Sequence, residues 1–260
     1  PVGQNTAMCL TRFAQTHIHA AISMPTAVGS PIARGIVDIR HQNEVIARAC
    51  ADFPGVFPIG LALIEERFGK LGIEEAEKAM SELGLVGIVG HPPIAEWCIP
   101  FVEAAAAREG LVNLHMHNPL MDKIAAIFPH CTFISHASTW GAENLAKHDN
   151  VFFEVVQYPD GPNSQWDFAW FADKVGRERL IFGADLPYYD YRVLQKTIEE
   201  APIDDDLKDR IAHKNLAALI KRFNPEWSLP EAPPKEVRVY DPEELWAVNP
   251  DNPVRLTVFA

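Results

Sequence analysis

Short, nearly continuous apolar runs recur through most of the chain, and between them apolar positions return every third or fourth residue. The runs predict seven strands, over residues 18–24, 57–64, 85–89, 111–115, 131–135, 151–156 and 180–183. Residues 43–52 place Val45, Ile46 and Ala49 on one helical face, and residues 8–15, 74–83, 100–108 and 206–222 read the same way. The junctions Leu83-Gly84, Glu109-Gly110 and Phe128-Pro129 close helices ahead of strands. Alternation of strand and helix over short loops predicts parallel strands joined by right-handed crossovers. Strands buried on both faces explain runs that are apolar throughout rather than alternating. A closed barrel and an open doubly wound sheet both satisfy the pattern. No GxGxxG or GxxxxGK[ST] follows any strand, which weakens the nucleotide-binding open sheet.

From Phe223 onward the pattern changes. Seven prolines fall between Pro225 and Pro253, a spacing no compact helix passes through. Two short β-like runs remain, at residues 236–240 and 254–259. The expected division is a barrel over residues 1–222 and an extended tail over 223–260. Trp227, Trp246 and the apolar end at 256–259 suit docking on apolar surface, either the chain's own or that of a partner in a homodimer.

Composition narrows the function. Of 260 residues, 48% are hydrophobic and 22% charged, as in globular proteins, and the net charge is −12. So acidic a chain is a poor ligand for nucleic acid, and no apolar run approaches the ~20 residues of a membrane helix. The natural partner is a small-molecule substrate. Cys9, Cys50, Cys98 and Cys131 are scattered, with no CxxC pair, and read as reduced core thiols. With no apolar signal segment after Pro1, the expected location is cytoplasmic.

Active sites of α/β barrels lie at the C-terminal ends of strands, and polar residues gather there. His91 follows LVGIVG, His115 and His117 end LVNLHMH, His136 ends CTFISH, and Asp185 ends LIFGAD. Alternation along a strand puts Asn113, His115 and His117 on one face, and three inward polar residues are hard to explain as packing. Imidazole and carboxylate suit Zn²⁺, Mn²⁺ or Fe²⁺. Such a metal supplies hydroxide at neutral pH, and a nearby unligated His moves protons. Asp185 has a competing reading as a helix N-cap, although Pro187 and the tyrosines around it suit a loop. Glu154 either faces the barrel interior or pairs with a Lys outside. His41, His130, His148 and His213 read as solvated surface.

The pieces AISMPT, NEVIARACADFPGVFPIG, VNLHMHNP, TFISHAS, NVFFE and RLIFGADLPY, with Asn215 in the closing helix, come in an order and spacing that resemble the amidohydrolase superfamily. The similar branch is the amidohydrolase-related one, with metal-dependent hydrolases and ACMSD-like aromatic-acid decarboxylases, and the resemblance runs from about residue 10 to 222. It implies a (β/α)₈ TIM-like barrel. By resemblance His115 is the fifth-strand metal ligand, His136 the sixth-strand ligand or proton shuttle, and Asp185 the eighth-strand Asp that binds metal and handles a proton. His91 and His117 then line the substrate pocket. The implied cofactor is a divalent metal, zinc first and manganese second.

The family's first strand ends in HxH or ExH. Thr16-His17-Ile18-His19 mimics that pair, but AAISMP continues before any turn. His17 and His19 are therefore expected at the N-terminal start of strand two, the wrong end of the barrel. The first strand is expected upstream of Pro1; otherwise the seven strands form a barrel with an altered or empty metal site. The reading is a metal-dependent hydrolase of a small carboxylated or cyclic substrate, an amide or lactone. Its alternatives are a non-oxidative decarboxylase of an aromatic or unsaturated acid, and a non-catalytic barrel with an incomplete metal site.

Overall fold

The computed structural model describes residues 6–25, 34–91, 94–114, 119–157, 165–183 and 190–235. The chain opens with α1 (Thr6–Thr16) and α2 (Ile36–Asp52). Strands and helices then alternate: β1 (Ala62–Leu63), α3 (Gly69–Glu82), β2 (Gly87–Gly90), α4 (Ile99–Ala106), β3 (Leu111–Leu114) and α5 (Pro119–Ile127). The alternation continues with β4 (Thr132–His136), α6 (Thr139–Leu145), β5 (Val151–Val155), α7 (Phe168–Val175), β6 (Leu180–Phe182) and α8 (Tyr191–Glu200). Finally α9 (Asp205–Asp209) passes through a π-helical turn, Arg210–Lys214, into α10 (Asn215–Phe223).

All six strands are parallel and lie in sequence order, each beside its neighbour in the chain. A doubly wound sheet reverses its order at a switch point; this sheet does not, so the open-sheet alternative falls and the winding is that of a barrel. The expected strand at residues 18–24 runs parallel to the approach to β1. Ser23 bridges Gly60, and amides of Ala21, Ser23 and Leu61 bond across the pair. Of the apolar run 57–64 only Ala62–Leu63 is regular strand; Pro58 has no N–H to give to a ladder.

Two apolar layers sandwich the sheet. Outward residues such as Ile88, Val112, Phe133, Phe153 and Leu180 pack with Met80, Phe101, Ile124, Leu145, Phe171 and Leu194 from the helices. Inward residues Leu61, Leu63, Val89, Leu111, Ile134, Phe152 and Ile181 form a second cluster. Residues 224–235 lie against the N-terminal end of this inner cluster. Trp227 is buried among Ile59, Leu219 and Ile220, and its indole N–H donates to the Gly55 carbonyl at 3.0 Å. Asn224 Nδ2 donates to the Pro58 carbonyl at 3.0 Å. The β-like runs 236–240 and 254–259 lie outside the described residues, as does Trp246.

Three helices go beyond the sequence expectation: α6, α7 and α8. Each is announced by its cap, the side chains of Ser138, Asp167 and Asp190 accepting from the backbone N–H groups of Gly141, Trp170 and Arg192. The cap of α8 is Asp190, so Asp185 is not needed for that role. Among the described residues no helix is long and apolar enough to cross a membrane.

Candidate functional site at the C-terminal ends of the strands

The strand register sorts the inward side chains into rows. Leu63, Val89, Asn113, Ile134 and Phe152 are successive register partners across β1 to β5. Asn113 is the one polar member of that row and is 1% exposed. Its Nδ2 approaches Met24 Sδ at 3.8 Å, and its Oδ1 accepts no hydrogen bond among the described residues. Such a buried amide oxygen is costly unless something occupies it.

One step nearer the C-terminal end, His136, Glu154 and Ile181 are register partners on β4, β5 and β6. His136 Nε2 stands 3.4 Å from Glu154 Oε2, with the two side chains 19% and 15% exposed. Glu154 thus faces the interior, not a Lys outside. Gly183, just past β6, makes room: a Cβ there would lie 2.3 Å from Glu154 Cγ. The backbone fixes the same corner, since Ala137 N–H donates to the Glu154 carbonyl and Gly183 N–H to the Val155 carbonyl, both at 2.8 Å. Immediately beyond His136, the Ser138 cap starts α6, so little slack separates the imidazole from a rigid helix.

His91 follows β2, and its Nε2 lies 3.3 Å from the Pro25 carbonyl, at the end of the strand-like segment 18–24. His91 and His136 are therefore both at the C-terminal end of the sheet. His115, His117 and Asp185 lie outside the described residues; β3 ends on Leu114 immediately before the first two, and the description of β6 and its exit ends on Gly183. Among the described residues no group of three His, Cys, Asp or Glu side chains could hold a metal. His136 and Glu154 face each other, so a metal here draws on donors beyond the described set.

His17 and His19 stand at the opposite end. His17 takes a left-handed φ of 56° at the exit from α1. His19 Nδ1 lies 2.8 Å from the Pro230 carbonyl, on the segment that covers the N-terminal face. His148, expected on the surface, is instead 14% exposed, with Nε2 2.6 Å from Asp122 Oδ1. Lys147 completes the cluster 2.9 Å from the same carboxylate. Hydrogen bonds from His148 first, then Lys147, hold the Asp122 carboxyl below the usual carboxylate range. At the N-terminal end of β5 and β6, Arg179, Arg210, Lys214 and Arg222 line a concavity. Its cations are occupied: Arg179 binds backbone carbonyls of Ala146, His148 and Val175, Arg210 and Lys214 pair with Asp206, and Arg222 sits over the Phe152 ring.

The described structure is similar to several solved ones. With 5-carboxyvanillate decarboxylase LigW from Sphingomonas paucimobilis it shares 16% identity at a TM-score of 0.65, covering 85% of this chain and 84% of that one. With an amidohydrolase II crystal structure the values are 15% and 0.68, over 85% and 90%. With the dihydroxybenzoic acid decarboxylase from Polaromonas sp. JS666, which holds manganese and the inhibitor 2-nitroresorcinol, they are 16% and 0.61, over 80% and 83%. No curated protein sequence gives a significant match. The amidohydrolase family model matches residues 12–222, from α1 through every strand of the sheet to the end of α10. The chain belongs to the amidohydrolase family of enzymes.

Proposed function

We propose that this chain catalyses non-oxidative decarboxylation of a small aromatic or unsaturated acid, with His136 as the proton carrier. The observation that carries the reading is the sheltered imidazole–carboxylate pair, His136 and Glu154, at the C-terminal end of the sheet. In such a reaction the bond from carboxylate to carbon breaks, CO₂ leaves, and the electron pair left on carbon takes a proton. An imidazole largely shielded from water supplies that proton where a solvated one would exchange it with bulk. The likeness to 5-carboxyvanillate and dihydroxybenzoic acid decarboxylases supports the same choice.

His115 and Asp185 are the residues we assign to a divalent metal, zinc or manganese. An imidazole and a carboxylate are donors of the right type, and each follows a strand whose described end lies at the same edge as His136. The group would act there as a Lewis acid on substrate oxygens. His91 and His117 line the substrate pocket in this reading, and the buried Asn113 Oδ1 offers an acceptor beneath it.

Product analysis tests the proposal. Candidate hydroxybenzoates should release CO₂, and His136→Asn should lower that rate by roughly 10²–10⁴, the usual size of a general acid–base contribution, while metal content stays unchanged. The family match itself favours a second reading, hydrolysis of an amide or lactone; a new carboxylate without CO₂ would select it. Protein that takes up no metal after growth with zinc and manganese would select the non-catalytic barrel instead.

A further inference from the structure

We propose that Glu154 is a positioning residue for His136, and that residue 183 is glycine so that the Glu154 side chain can lie inside the barrel. Glu154 and His136 are register partners on adjacent parallel strands, and their side chains therefore leave the sheet on the same face. Apart from Asn113, that face is otherwise apolar from Leu63 to Ile181. A carboxylate set there without a purpose would cost burial and return nothing. Here it stands 3.4 Å from Nε2, long for a hydrogen bond but of the kind that tightens when a site is filled.

The third part of the device is a missing side chain. A Cβ on residue 183 would meet Glu154 at 2.3 Å from Cγ, 2.7 Å from Oε1 and 2.8 Å from Cδ. Three contacts along one side chain, all well inside van der Waals distance, leave Glu154 no conformation near the observed one. The backbone at Gly183 is not left-handed; the demand for glycine is spatial. Three strands thus make one arrangement: β4 carries the imidazole, β5 the carboxylate, and β6 opens onto the gap that admits it. The carboxylate accepts a hydrogen bond from Nε2–H, which fixes the tautomer and the ring plane.

The test uses the full chain and two readouts. Nitrogen-15 NMR of the histidine rings reports the His136 tautomer directly, assigned by its loss in His136→Asn. In the native chain the proton should sit on Nε2. Glu154→Gln and Gly183→Ala should both turn this into a mixture, although one leaves residue 183 untouched and the other leaves the carboxylate in the sequence. Both should lower kcat by roughly 10²-fold or more with KM little changed, as loss of an orienting carboxylate does, and the double variant should be no worse than the weaker single one. Glu154→Asp should recover part of kcat. An unchanged tautomer in Glu154→Gln, or a Gly183→Ala effect that adds fully to it, would overturn the proposal. The activity arm rests on the reading of His136 as proton carrier, whereas the tautomer arm does not, so failure of one is distinguishable from failure of the other.

Discussion

Cys98 and Cys131 are 0% and 1% exposed, and burial pushes both thiols up to about 11. Cys50 is raised as far by the same cause. At neutral pH these groups are protonated, and two of them are out of reach of a reagent. Ellman's reagent at about pH 8 should leave Cys98 and Cys131 unmodified in the native chain and modify all four cysteines in denaturant, since thiolate and access are both required. Single residues also mark what the sequence conceals. His136 is legible because it closes an apolar strand at the end where barrels do chemistry. Glu154 is not, because Phe153 and Val155 on one side and Phe152 on the other are all buried; a strand apolar on both faces gives no contrast to say which way its one carboxylate points. The register with His136 and the gap at Gly183 decide it. His148 escaped for a related reason: it lies in the loop after α6, and its partner Asp122 is 26 residues away on α5.

At the scale of elements, strands were easier to foresee than helices. Seven apolar runs map onto six strands and a bridged seventh segment, whereas the seven-residue α6 carries too few apolar positions to announce a face without its cap; α8 does carry one, in Tyr191, Leu194 and Ile198. Arg179 adds a polar tie to the apolar packing that holds α6 and α7 to the sheet. Its guanidinium reaches the carbonyls that close α6 and α7, those of Ala146 and Val175, and that of His148 ahead of β5. Arg179→Met keeps the aliphatic stem but strands three carbonyls, and should cost about 2 kcal/mol or more, read as a lower urea midpoint at unchanged m-value. A second consequence concerns acid. Side-chain hydrogen bonds hold the carboxyls of Asp190, Asp204 and Asp206 at about 2, with Arg192, Arg177 and Arg210 as the first partners. In the unfolded chain such groups titrate near ~3.9. A depressed native value contributes stability that is complete above ~4 and is lost as pH falls from there toward ~2. These pairs are exposed, so the effect is modest and screened by salt. Urea midpoints should be flat from neutral down to about pH 5 and then fall, less steeply in Arg177→Gln.

For the whole molecule the two ends of the sheet have different work. The C-terminal end carries His91, His136 and Glu154; the N-terminal end carries the Trp227 seal and the contacts of His19 and Asn224. Substitutions should sort accordingly. Trp227→Ala should cost about 3–5 kcal/mol, as loss of a large buried ring does, and spare the tautomer and metal content. His17→Asn and His19→Asn should leave metal content unchanged; loss of metal in either would move the site to the other end. Winding direction was the part of the architecture the sequence left open, because alternation of strand and helix is common to barrels and doubly wound sheets. Only the order of pairing separates them, and pairing is not written in any single segment.

The seal at the N-terminal face has a consequence for how the protein is made. Trp227 binds a carbonyl 172 positions earlier, Asn224 one 166 earlier, and Pro230 answers a histidine 211 earlier. Strands emerging from the ribosome can pair with their predecessors at once, each waiting only for a helix to be completed. The inner apolar cluster cannot be shut until nearly the last described residues arrive. Throughout synthesis Ile59 and its neighbours therefore face water or a chaperone, and a nascent chain halted before Trp227 would carry a barrel without a floor, exposed to aggregation and proteolysis however well its sheet had formed.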